Sequence, residues 1–191
     1  MLYNKISFWK NRNDPNSDNG RKIALDHIKL IKPFIPPNIN LLDYGPGIGR
    51  MVDLYKNQTY INFYDISPTY KNRLIQKCKN NNLKINKYII DESGDIKTPF
   101  KDKEFDIVCA FEVLLHSPEN EIEEMMNELA RIGKKVIITT WYQDGELISK
   151  GSCWTRDYKK LLTNNNLSLI RWEKINFNNT PQIFFIYHDK L

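Results

Sequence analysis

Residues 39–50 read Ile39-Asn40-Leu41-Leu42-Asp43-Tyr44-Gly45-Pro46-Gly47-Ile48-Gly49-Arg50. A short apolar run stops at Gly45, and three of the eight glycines then fall within five residues. The stretch reads as a buried strand followed by a sharp turn. Glycine tolerates positive φ and lets a backbone approach a ligand closely. In a parallel α/β sheet such a turn lies at the carboxyl end of a strand, where ligands bind. The Gly-Lys-Ser/Thr ending of a Walker loop is absent, and GxGxxG does not fit, because the third glycine comes one residue early and position 50 is Arg. Asp43, two residues before the first glycine, suits a ligand carrying a cation better than a pyrophosphate.

The pattern continues on both sides of this loop. Upstream, apolar residues from Ile23 to Phe34 recur at helical spacing, which predicts a helix over 21–34 ended by Pro36-Pro37. Downstream, a short helix is expected over 50–56, a strand over 60–64, a helix over 69–80 and a strand over 85–90. Phe105–Phe111 is continuously apolar, as a central parallel strand is. Ser117-Pro118 reads as the start of a helix, with Ile122, Met125, Met126, Leu129 and Ile132 on one face. A fifth strand over 135–141, a loop over 142–154, a helix over 155–165 and two closing strands over 167–174 and 183–188 complete the chain. The alternation predicts an α/β, Rossmann-like, doubly wound fold with a mostly parallel seven-stranded sheet and an antiparallel edge hairpin.

Several segments together resemble the class I S-adenosylmethionine-dependent methyltransferases, in the broad small-molecule type 11 branch. Leu41–Arg50 is similar to their first motif, and Tyr64-Asp65-Ile66-Ser67-Pro68 to their second. Phe105-Asp106-Ile107-Val108 through Val113-Leu114-Leu115-His116, with Pro99-Phe100 just before, is similar to the fourth-strand motif. The likeness spans about residues 38–142 with order and spacing in agreement. It implies S-adenosyl-L-methionine as cofactor and methyl transfer by in-line displacement at the sulfonium carbon. Asp43, Tyr44, Gly45, Pro46, Gly47, Arg50 and Ser67 then bind the cofactor, Gly45 and Gly47 beside its methionine part and Asp43 at its amino end. Asp65 accepts the ribose hydroxyls or, alternatively, caps the next helix, a role open to Ser67 as well. Ile66 packs on the adenine face, and Asp91 or Asp95, the latter beside Ile96, reads the adenine edge. Phe111 and Glu112 end the fourth strand, where the family places the methyl group. His116 is the one candidate for a base or substrate-orienting group, its alternative being a loop histidine packed under the following helix.

The length of 191 residues predicts one domain, since a domain takes about 100–200. Its expected parts are an arm and helix (1–37), a cofactor-binding core (38–142) and a C-terminal part completing the sheet (143–191). No apolar run reaches the ~20 residues of a membrane span, and residues 1–16 lack an apolar signal core, so a cytoplasmic protein is expected. Cys78, Cys109 and Cys153 form no CxxC, and His27, His116 and His188 have no metal-ligand spacing, so neither disulfides nor a metal is expected.

The net charge of +5 could mark a nucleic-acid surface. However, Lys outnumbers Arg 21 to 7 beside 24 Ile, 22 Asn and 3 Ala, which is the signature of an AT-rich coding sequence. Phe111-Glu112-Val113-Leu114 also stands where nucleic-acid amino-methyltransferases carry an Asn/Asp-Pro-Pro-Tyr-like segment. A small-molecule acceptor is therefore expected over a nucleic acid. The alternatives are a nucleic-acid or protein methyltransferase, and a cofactor-binding module without turnover. Residues 1–20 and the loop 142–154 could roof the acceptor pocket. The aromatic residues Trp141, Tyr142 and Trp154 could line it or simply cover the core.

Overall fold

A computed structural model of the chain describes residues 5–10, 18–142, 148–150, 152–177 and 180–189. The strands are β1 (Leu41–Tyr44), β2 (Tyr60–Asp65), β3 (Lys84–Ile90), β4 (Phe105–Phe111), β5 (Gly133–Trp141), β6 (Ile148–Lys150), β7 (Cys153–Thr155), β8 (Leu167–Phe177) and β9 (Thr180–Asp189). The helices are α1 (Lys5–Lys10), α2 (Asp18–Ile31), α3 (Lys71–Asn80), α4 (Ile122–Ile132) and α5 (Tyr158–Asn164). Seven strands form one sheet in the order β3-β2-β1-β4-β5-β9-β8, and β6 pairs only with β7. This is the expected mostly parallel sheet with an antiparallel edge. Contacts divide the chain into two compact units, Met1–Gly94 and Asp95–Leu191.

In the first unit β1 pairs parallel with β2, and β2 with β3. All four residues of β1 are buried, as are five of the six in β2, so these strands take apolar residues on both faces. In α2 the side chains of Ala24, His27 and Ile31 are buried at helical spacing. The helix stops at Ile31, before Pro36, because Pro33 has no N–H to donate and a 3-10 turn takes over at Lys32–Phe34. The helix expected over 50–56 is only a 3-10 turn, Val52–Tyr55. Between β1 and β2, Gln58 bridges the Pro36 carbonyl (2.7 Å) and the Ile39 amide (3.0 Å), holding the entry to β1.

In the second unit β4 pairs parallel with β5, β5 antiparallel with β9, and β9 antiparallel with β8. The apolar face of α4 is buried as its spacing demands, and the Tyr187 hydroxyl donates to the Met126 carbonyl at 3.0 Å. Ser117 does not cap α4. The helix begins at Ile122, one turn later, and the Pro118 carbonyl accepts from the Glu121 and Ile122 amides instead. The segment 142–154 is more than a loop, since the β6–β7 hairpin lies inside it. Residues 143–147 and 151, with Gly145 and Gly151, fall outside the described residues, as do Asn178 and Asn179. α5 begins at Tyr158, because Asp157 accepts from the Lys159 (3.0 Å) and Lys160 (3.2 Å) amides and so defines the N-cap.

Candidate active site

β1 delivers Asp43 to the start of the glycine loop. Its side chain is only 2% exposed. Burial pushes its carboxyl up to about 8, a contact with the Tyr55 hydroxyl draws it down, and the Asp65 carboxylate raises it further. The loop then turns through three left-handed glycines, Gly45 (φ 70), Gly47 (φ 52) and Gly49 (φ 73). The Gly45 amide donates to the Tyr64 carbonyl at 2.8 Å, tying the loop to β2. Two glycines differ in what surrounds them. A Cβ on Gly47 meets nothing within 4 Å, so this backbone faces open space. A Cβ on Gly49 lies 2.6 Å from Leu74 Cδ1 and 3.0 Å from Val52 Cγ2, so that glycine serves close packing on α3.

Asp65 ends β2 and turns back onto the loop. Its two oxygens accept from the Ser67 amide (3.0 Å) and the Gly47 amide (3.3 Å). Burial nevertheless dominates and raises its carboxyl to about 6, against the lowering by Ser67, Gly47 and Ile66 amides. Neither Asp65 nor Ser67 caps α3, whose N-cap is Tyr70. Asp65 closes the turn after β2, and Ser67 accepts from the Thr69 amide at 3.3 Å. Thr69 also donates to the Trp9 carbonyl (3.4 Å), which sets α1 against this turn. Of the arm expected to form a lid, residues 1–4 and 11–17, with Tyr3, lie outside the described residues.

The remaining loop residues frame this corner. Tyr44 is buried and stacks on Tyr64 with ring centroids 4.9 Å apart. Pro46 accepts from the Gly49 amide at 2.9 Å, and Arg50 and Ile66 are half-buried. Asp91 follows β3, and its amide donates to the Asp65 carbonyl at 2.9 Å. Its carboxylate accepts from the Ser93 amide (3.0 Å) and the Tyr64 hydroxyl (3.1 Å), and these donors hold it below the usual carboxylate range. The fold thus gathers Asp43, Gly45, Gly47, Asp65, Ser67 and Asp91 at the carboxyl ends of β1–β3.

The second unit carries the other candidates. Asp95 is exposed and Ile96 buried at the start of the segment leading to β4. Phe111 ends β4. Glu112 follows in a left-handed conformation (φ 57), its amide donating to the Thr139 carbonyl at 2.8 Å. A glutamate held there carries strain of ~1–2 kcal/mol. His116 sits in a 3-10 turn, Leu114–His116, and its Nδ1 lies 2.8 Å from the Ser152 carbonyl and 3.7 Å from Cys153 Sγ. It is therefore half-buried beside the β6–β7 hairpin. Tyr142 belongs to the core cover, 3% exposed and edge-on to Trp172 at 5.1 Å, whereas Trp141 and Trp154 are half-buried.

Sequence reasoning missed Tyr55, which sits against Asp43, and Arg156, which donates to carbonyls on either side of His116. Each lies far from its partner along the chain, and neither belongs to a motif. A charged residue such as Arg156, 4% exposed, carries no mark of burial in the sequence.

The seven-stranded sheet, parallel from β3 to β5 with an antiparallel β9–β8 edge, is the fold of the class I S-adenosylmethionine-dependent methyltransferases. Residues 42–136 match the family model described as a methyltransferase domain and belong to that family. A search of curated proteins gives no significant match. Solved structures share the fold. Magnesium protoporphyrin IX methyltransferase from Synechocystis PCC 6803, solved with bound cofactor, is 16% identical, with 98% of this chain and 99% of that one covered at a TM-score of 0.70. A protein of Pyrococcus horikoshii OT3 is 18% identical over the whole of both chains at 0.71. The (4+2)-cyclase SpnF is 13% identical, with 94% of this chain and 85% of that one covered at 0.71.

The residues present fit the cofactor. Open space at Gly47 leaves room for a ligand beside the Asp65 carboxyl, an acceptor for hydroxyl donors, and Asp43 at the start of the same loop offers a second acid. Asp65 uses its oxygens on backbone amides and retains lone pairs, since a carboxylate offers about four acceptor positions. Among the described residues no helix is long and apolar enough to cross a membrane.

Proposed function

We propose that this chain, working as one catalytic domain in the cytoplasm, transfers the methyl group of S-adenosylmethionine to a small-molecule acceptor. One observation carries the cofactor half of this reading: the open face of Gly47 lies beside the Asp65 carboxylate, which its own amide touches at 3.3 Å. Bound there, the cofactor supplies an electrophilic methyl group on a good leaving group. The protein's task is then to hold the acceptor near contact distance and in line, ~3–3.5 Å away. Asp43 receives the ammonium and Asp65 the ribose, with Ile66 against the adenine. Asp91, which accepts from Tyr64 and Ser93 and retains lone pairs, or Asp95 with Ile96 reads the adenine edge. The resemblance puts the methyl group near Phe111 and Glu112, at the carboxyl end of β4. The protoporphyrin enzyme, named for a small-molecule acceptor, supports the substrate class.

Titration calorimetry tests the assignment. S-adenosylhomocysteine is expected to bind with micromolar affinity, roughly −8 kcal/mol. No heat at millimolar ligand, or binding of NAD in its place, refutes it. A second reading is favoured by the cyclase SpnF, a fold relative not named for methyl transfer. Cofactor binding without turnover on a broad panel of hydroxyl, amine and thiol acceptors would favour that module.

Asp65→Ala is expected to weaken cofactor binding by about 1.5–3 kcal/mol, the range for hydrogen bonds to a charged group. Asp65 is buried and accepts from two backbone amides, so its removal also affects the fold. Losing an acceptor for the Gly47 and Ser67 amides destabilises, while losing a buried acid stabilises, and the melting temperature should move little. Unchanged affinity would reduce Asp65 to a turn-closing residue.

A further inference from the structure

The cations of this chain are not spread evenly. Residues 66–90 hold six of them, Lys71, Arg73, Lys77, Lys79, Lys84 and Lys87, and none of the 23 acids. Outside that stretch 22 cations face 23 acids, so the whole excess of positive charge resides in it. An AT-rich coding sequence accounts for lysine in place of arginine. It does not account for the missing acids, which the rest of the chain carries freely.

Folding brings these residues to one margin of the first unit. β3 stands at the end of the sheet order, beside β2, and α3 leads into it. The Leu83 amide donates to the Cys78 carbonyl at 2.9 Å, and the Lys71 ammonium lies over the Tyr88 ring, 5.6 Å from its centroid. Leu74 and Cys78 take the buried face of α3, which leaves Lys71, Arg73 and Lys79 exposed, and Lys84 and Lys87 are exposed on β3. Among the described residues Lys71, Lys79 and Lys84 pair with no acid. Tyr60, 40% exposed, stands across from Lys84 in the register of β2 and β3. The exposed amides of Asn72 and Asn82 lie in the same stretch.

We propose that this margin docks single-stranded nucleic acid, with its lysines on successive phosphates and Tyr60 stacked against a base. An ammonium meets phosphate as a point charge and needs no bidentate geometry. An aromatic ring and amide side chains between cations suit bases and sugars as well as phosphates. An anionic bilayer needs apolar side chains to enter it beside the cations. Leu25, Leu169 and Ile170, the other large apolar side chains exposed among the described residues, lie outside this stretch. Lysines on an edge strand also keep sheets from pairing edge to edge. That accounts for Lys84 and Lys87, but not for Arg73 and Lys79 on α3. The docking face is separate from the choice of methyl acceptor and does not rest on the methyltransferase reading.

Fluorescence anisotropy of the full chain with a labelled oligouridylate dodecamer tests the proposal. Neutralising ~4 phosphates gives a slope of about −3 in log affinity against log salt, a loss of ~60-fold between 50 and 200 mM. Lys79→Glu with Lys84→Glu is expected to weaken binding tenfold or more and to make the slope shallower by ~1.4. The neutral pair Lys79→Gln with Lys84→Gln should fall between this variant and the wild type. Tyr60→Ala should weaken oligouridylate about fivefold and leave polyglutamate unchanged. S-adenosylhomocysteine should bind all three variants as it binds the wild type. No binding by the wild-type chain at 50 mM salt, or wild-type affinity in both lysine variants, overturns the docking face. Equal affinity for polyglutamate, or for vesicles containing phosphatidylserine, overturns the nucleic-acid assignment. Equal affinity for the matching duplex, or a silent Tyr60→Ala, overturns the single-stranded mode.

Discussion

Asp43→Asn is expected to make the protein more stable and its cofactor site much weaker. The carboxyl of Asp43 ionises near pH 8 in the fold against 3.8 for an ordinary aspartate, because it is buried beside Asp65. Between those values the folded chain holds a proton that the unfolded chain has released. The contribution to stability is therefore fully present below about pH 4 and is lost as pH rises through 8. Asparagine removes this dependence while keeping a side-chain oxygen near Tyr55. The gain should be on the order of 2 kcal/mol at pH 8, allowing for the cost of a buried amide. That corresponds to ~4–8 °C in melting temperature for a chain of this size. It should shrink as the pH is lowered to 5.

Cofactor binding moves the opposite way. A ligand ammonium placed at Asp43 favours the carboxylate, so the bound state sheds the proton that the free protein holds. Affinity for S-adenosylhomocysteine is expected to rise between pH 6 and 7.5, and calorimetry in two buffers of different ionisation enthalpy should detect the released proton. Asp43→Asn should lose both the pH dependence and about 1.5–3 kcal/mol of binding. A variant that melts lower than the wild type at pH 8, or that binds normally, contradicts this account of Asp43.

The second large effect separates two glycines of one motif. Gly49→Ala introduces a methyl group 2.6 Å from Leu74 and 3.0 Å from Val52, at a left-handed φ of +73. Overpacking and backbone strain together should cost about 3 kcal/mol, with a lower melting temperature. Gly47→Ala has the same left-handed strain, ~1–2 kcal/mol, but its methyl group enters open space. Its larger effect should fall on the ligand, with an affinity loss of tenfold or more. Thermal melts and calorimetry on both variants check the pair. Equal melting temperatures, or a larger loss of affinity in Gly49→Ala, would contradict the division between a packing glycine and a ligand-facing one.

The alternation of apolar strands and amphipathic helices was enough to read the sheet, since burial on both faces of β4 and along one face of α4 is written in residue type and period. The cofactor class was legible for a similar reason: Gly45, Gly47, Asp43 and Asp65 belong to local motifs whose spacing survives without the fold. Local chemistry also misled where a competing local signal was stronger. Pro33 ended α2 before Pro36-Pro37 could, and Asp157 set the start of α5 in place of Thr155.

Other properties depended on residues distant in sequence. The roles of Gly47 and Gly49 look alike in the motif and separate only when Leu74 packs against one of them. The raised carboxyls of Asp43 and Asp65 come from burial, which no residue carries by itself. His116 meets the Ser152 carbonyl from 36 residues away, and the left-handed Glu112 is held by the Thr139 carbonyl that its amide reaches. Residue identity and spacing determined which groups this protein has for its chemistry. Only tertiary contacts decided their protonation, their strain and the space left for a ligand, because each depends on neighbours the chain brings together by folding.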